Sequence, residues 1–71
     1  MNFKGMVRFL TDKDKDGEQH YTFKALAITT GIAQSTLWRI AQGKAIEPRY
    51  SDALRLEKVY LETQDKIHEA A

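Results

Sequence analysis

The sequence predicts an all-α fold of about four helices ending in a long one, as a single domain over residues 1–71. Three observations carry that expectation. Phe3, Met6, Val7 and Leu10 fall at i, i+3, i+4 and i+7, the spacing of one helix face. Two short segments with apolar periodicity follow, closed by Gly31 and Gly43. From Ser51 a regular pattern persists to about Ile67.

Taken in order, the first helix starts near Phe3 and is weakened at Gly5 by roughly 1 kcal/mol relative to alanine. Its alternative is a hairpin of Val7–Thr11 with His20–Phe23 around Asp16-Gly17, a dipeptide suited to tight turns. Residues 12–21, DKDKDGEQHY, are polar and lack a sustained apolar period, so they read as a loop. Thr22 is placed to cap a helix over FKALAITT, with Phe23, Leu26 and Ala27 inward, and Gly31 ends it. Gln34 to Gln42 is the next helix, burying Leu37 and Ile40, and Gly43 stops it. Pro48 forces Glu47 toward extended backbone, which makes 43–48 a loop. Ser51 is expected to cap the last helix.

Composition narrows the classes of function. An apolar content of 42% in 71 residues supports one compact but modest core. No window approaches 18 consecutive apolar residues, so no membrane span is expected. Met1–Leu10 has neither the apolar run nor the small-residue cleavage site of a signal peptide. The lack of cysteine excludes disulfide frameworks, thiol catalysis and Cys-ligated metals, and fits the cytoplasm. A supported catalytic cleft needs more scaffold than this. The expectation is a binding module without cofactor or small-molecule substrate.

The net charge of +1 is undistinguished, but its distribution is uneven. Residues 22–50 carry Lys24, Arg39, Lys44 and Arg49 against Glu47 alone. The stretches on either side, 12–21 and 51–71, hold more acids than bases. A basic island between acidic flanks can orient a polyanion even when the total is near zero, although a mixed surface also fluctuates by chance.

The centre of the chain carries a spaced pattern, Ala27-x3-Gly31-Ile32-x4-Leu37-x2-Ile40-x2-Gly43. A small residue at Ala27 lets a second helix cross close over the first. Gly31 sits where the chain reverses and is expected at positive φ, which glycine adopts at little cost. Ile32, Leu37 and Ile40 plug the second helix onto the core, so its opposite face projects outward.

Residues 22–61, which contain this skeleton and a proline-bearing step into a further helix, resemble the helix-turn-helix of the phage Cro and repressor family. The resemblance covers somewhat over half of the chain, with the motif at about 22–43. It implies a lambda-repressor-like fold and sequence-specific binding to double-stranded DNA. It also implies a homodimer on a two-fold operator and, often, transcriptional repression. The chain departs from the family at Ala33, where serine or threonine is common before the second helix, and in its long polar segment before Thr22.

Helical phase selects the outward residues. With Leu37 and Ile40 inward, Gln34, Ser35, Trp38 and Arg39 point away from the core, Gln42 follows one turn on, and Thr36 lies beside them. In the family the start of this helix lies in the major groove. There Gln34 can pair with adenine, Arg39 with guanine or a phosphate, and Ser35 and Thr36 with either. Lys44 and Arg49, in the loop behind, suit phosphates. The alternative for each is an ordinary solvated side chain. Trp38 either meets thymine methyls or, as the preferred reading, folds back over the loop around Ile46 and Pro48.

On the last helix, apolar residues from Tyr50 to Ile67 cover an arc of about 220°, against the ~100° that a core-facing helix requires. The excess predicts a self-association face, with Leu56, Tyr60, Leu61 and Ile67 as its candidates. The alternative is a small protein wrapping its longest helix with all its other elements.

Asp12-Lys13-Asp14-Lys15-Asp16-Gly17 matches the opening of an EF-hand loop, but Phe23 stands where the bidentate glutamate belongs and Gln19 where an aliphatic residue does. No metal site is expected. His20 and His68 suggest no catalytic pair, and no enzyme motif is recognisable. The sequence therefore predicts a small DNA-binding transcriptional regulator. A protein-interaction adaptor or antitoxin that keeps the fold is the alternative.

Overall fold

The computed structural model describes residues 2–44 and 48–70, with side chains as far as Ile67. The described residues form four helices and no strand: α1 (Phe3–Thr11), α2 (Phe23–Thr30), α3 (Gln34–Ala41) and α4 (Tyr50–Ala70). The all-α expectation holds. Part of the expected 43–48 loop, including Ile46, lies outside the described residues.

Asn2 starts α1, its Oδ1 accepting the Gly5 N–H at 3.0 Å. The helical spacing of Met6, Val7 and Leu10 then puts all three in the core. The hairpin alternative fails because these residues bury one helical face, but the turn it invoked survives within the loop. Gly17 has φ 79°, and its N–H donates to the Asp14 carbonyl at 3.0 Å. The loop then folds back onto the end of α1. Tyr21 N–H donates to the Leu10 carbonyl at 2.8 Å, and Gln19 Nε2 donates to the Thr11 carbonyl. These bonds occupy carbonyls that a helix end would leave without partners. Phe9 stacks on His20 at 5.1 Å and meets the edge of Tyr60 at 5.3 Å.

Thr22 caps α2 as expected, its Oγ1 accepting the Ala25 N–H at 3.0 Å. Gly31 ends the helix at φ 74°, where a residue with a Cβ would incur roughly 1–2 kcal/mol. Its N–H donates to the Ala27 carbonyl at 2.8 Å. Three residues, Gly31–Ala33, connect α2 to α3. Ile32, Leu37 and Ile40 are buried, so the pattern that should anchor α3 does so. Gly43, at φ 76°, terminates the turn after α3.

The core joins Val7 and Leu10 of α1, Leu26 of α2, Leu37 and Ile40 of α3, and Leu56 and Val59 of α4, with Ile32 from the turn. α1 packs against the other three helices, and α2 also meets α3 and α4. Thr11, Thr30 and Thr63 are buried too. Each hydroxyl donates to the carbonyl four residues earlier, in Val7 (2.7 Å), Leu26 (2.8 Å) and Val59 (2.8 Å). A threonine satisfied in this way enters an apolar interior without an unpaired group.

Two expectations about α4 need correction. Ser51 is not its cap: the helix already includes Tyr50, and the Arg49 carbonyl accepts the Ala53 N–H at 2.8 Å. Leu56 is fully buried in this chain's own core, which removes it from any self-association face. Tyr60 is half-buried beside Phe9. The wide arc thus divides into an inner half, Leu56, Val59 and Thr63, and an outer half, where Leu54, Leu61 (48% exposed) and Ile67 (44% exposed) remain in solvent. No helix among the described residues is long and apolar enough to cross a membrane.

Candidate nucleic-acid interface

Burial of Leu37, Ile40 and Ala41 fixes the rotation of α3 and thereby its outer face. Gln34, Ser35, Trp38, Arg39 and Gln42 are all exposed, in agreement with the helical phase. Thr36 is half-buried and contributes less surface than its neighbours. Lys44 and Arg49 are exposed on either side of residues 45–47. Arg49 immediately precedes α4, its carbonyl accepting the Ala53 N–H.

Trp38 is 46% exposed. Its ring lines a surface cleft of about 480 Å³ with Phe23, Gln34 and Ser35, and Lys44 Nζ lies over the ring at 5.2 Å from its centroid. A cation over an indole face is stabilising by about 0.5–1 kcal/mol at an exposed site. Helical phase alone assigns Phe23 to the core. It is half-buried and serves both: one side packs against the core while another lines the cleft.

A second residue escaped the sequence reading. Lys4 of α1 lies beside the end of α3, its Nζ 3.6 Å from where a Cβ on Gly43 would stand. Nothing local to either residue signals this, because only the packing of α1 on α3 brings them together. The cation sits at a helix C-terminal end, where the helix dipole favours positive charge.

The electrostatics of this face are simple. The ion pairs among the described residues are Arg8–Asp12 at 3.4 Å and Arg55–Asp52 at 3.9 Å, and neither involves α3. Residues 22–44 contain Lys24, Arg39 and Lys44 and no acid. The start of α3 adds partial positive charge, since Ala33 makes no side-chain cap and leaves the first-turn N–H groups available to another acceptor. The exposed face of α3 thus carries Gln34, Ser35 and Arg39 beside the Trp38 cleft, with the Lys44 ammonium over the indole.

The polar loop offers no comparable site. Asp14 Oδ1 already accepts the N–H groups of Asp16 (2.8 Å) and Glu18 (3.0 Å), and no cluster of metal-ligating side chains occurs among the described residues. No family model matches this chain, and no characterised protein or solved structure is significantly similar to it.

Proposed function

We propose that this chain is a sequence-specific duplex-DNA-binding protein, a small transcriptional regulator of the phage or mobile-element repressor type. In this reading α2, the Gly31 turn and α3 form a helix-turn-helix in a lambda-repressor-like fold. The observation that carries it is the division of α3: Leu37 and Ile40 are buried, while Gln34, Ser35, Trp38 and Arg39 form an exposed face without acids.

In the major groove, Gln34 can pair bidentately with adenine, and Arg39 with guanine. Ser35 and Thr36 add hydroxyls at the start of the helix, and Gln42 extends the face by a turn. Lys44, Lys4 and Arg49 neutralise phosphates and set the register without reading sequence. Two copies related by a two-fold axis would read half-sites about one DNA turn apart. Leu61 and Ile67 supply exposed apolar surface for that pairing. Occupancy of an operator represses most simply by excluding polymerase. The reading calls for no catalysis, and it places the protein in the cytoplasm, where its target is accessible.

The exposed apolar residues of α4, with Ile28 of α2, favour a second reading: a protein-interaction adaptor or antitoxin that keeps the fold. Salt separates the two. A DNA binder loses duplex affinity steeply as salt rises, through counterion release. An adaptor shows little duplex binding at any salt concentration, and that result would reject the proposal.

A further inference from the structure

We infer that the cleft between Phe23 and Trp38 receives the 5-methyl group of a thymine, beside the base pair whose edge Gln34 reads. The inference rests on the duplex-DNA reading and adds to it a chemical specificity. Trp38 is the single tryptophan of the chain, and almost half of its surface is in water. Phe23, the first residue of α2, lines the same cleft. Between them these two rings supply an apolar wall. Gln34 and Ser35, lining the same cleft, supply an amide and a hydroxyl.

One feature of duplex DNA matches an apolar wall next to an amide. On the major-groove edge, adenine offers the N6 donor and N7 acceptor that an amide pairs with, and a thymine in the adjacent pair offers a methyl group. A G·C pair has no methyl there, and the minor groove has none at all. The Lys44 ammonium over the indole, 5.2 Å from its centroid, argues against the other use of an exposed tryptophan. It occupies one face of the ring and so leaves less of the indole for stacking by an unpaired base, while the cleft side stays open to a methyl group. The surroundings fit a polyanion, since residues 22–44 carry three bases, Lys24, Arg39 and Lys44, and no acid.

The test is a pair of selections by the intact protein, from one random duplex pool containing thymine and from a second with uracil at every thymine position. Binding of the enriched duplex, by the unmutated protein and by Trp38→Ala, is then measured through the fluorescence anisotropy of a dye-labelled duplex. The first pool should yield a thymine next to the adenine assigned to Gln34. Replacing that thymine by uracil should weaken binding about fourfold, the transfer of one methyl group. Trp38→Ala should bind the thymine and uracil duplexes more weakly and equally. Equal affinity of the unmutated protein for both duplexes, or a thymine preference that survives Trp38→Ala, would overturn the inference and leave the DNA reading intact. Enrichment of no duplex from either pool would overturn both.

Discussion

The Thr30 hydroxyl accepts the Ile32 N–H at 3.2 Å while donating to the Leu26 carbonyl at 2.8 Å. One buried side chain thus ties the last turn of α2 to the residue that leads into α3. Between them stands Gly31, whose left-handed backbone makes the reversal. The direction in which α3 leaves the core depends on this short link, and so does the orientation of its outer face.

Thr30→Val keeps the shape of the side chain and removes both bonds. The Ile32 N–H is then buried without a partner, a loss of about 1–3 kcal/mol. Thr30→Ser, which retains the hydroxyl, should lose less. The midpoints of denaturant unfolding measure both, and a valine variant as stable as the parent would show that the link contributes nothing.

Ala33 occupies the N-cap position of α3 with φ −57° and ψ 138° and makes no side-chain cap. Serine fits that backbone, and its oxygen can accept an N–H from the first turn of the helix. Ala33→Ser should therefore raise stability by about 1 kcal/mol. Thermal unfolding gives the answer, and an unchanged or lowered midpoint would contradict the cap assignment.

Helical phase made most of this architecture legible in advance. The inward faces of α1 and α3, the Thr22 cap and the terminating glycines all follow from short-range rules, because each depends on residues within one or two turns. What escaped depends on packing between distant segments. The Lys4–Gly43 approach needs α1 laid on α3. The division of α4 needs its neighbours: Leu56 and Leu61 belong to one apolar arc, yet one is buried and the other half-exposed. Buried threonines were hidden for a different reason. Thr30 and Thr63 score as polar, and only their bonds to preceding carbonyls admit them to the core. Gly5, a helix weakener by propensity, gains a role from the Asn2 cap. A Cβ there would stand 3.3 Å from the capping amide.

The polar loop should ignore calcium. Its sequence opens like an EF-hand, but Asp14 Oδ1 is already committed to two backbone N–H groups and Phe23 faces the cleft. Millimolar calcium is expected to leave the melting midpoint unchanged. A rise of several degrees with calcium and not with magnesium would reverse this conclusion.

The two halves of the α4 arc should respond differently to substitution. Leu56→Ala removes a fully buried side chain and should destabilise the fold by about 2–5 kcal/mol. Replacing Leu61 and Ile67 together with lysine should leave the monomer folded and abolish cooperative binding to a palindromic duplex. Sedimentation of the unmutated protein supplies the control. A monomer at high concentration that binds a palindrome one molecule per duplex would eliminate the dimer.

The most direct test of the central proposal compares the unmutated protein with a Gln34→Ala/Arg39→Ala variant in selection from a random duplex pool. Both side chains are exposed on α3 and outside the core, so the variant should fold normally by circular dichroism. The unmutated protein should enrich a defined site. The variant should lose preference at the bases these side chains contact, by about 1–3 kcal/mol for each bidentate pair. A variant that enriches the same site with undiminished preference would contradict the assignment of α3 as the DNA-reading face.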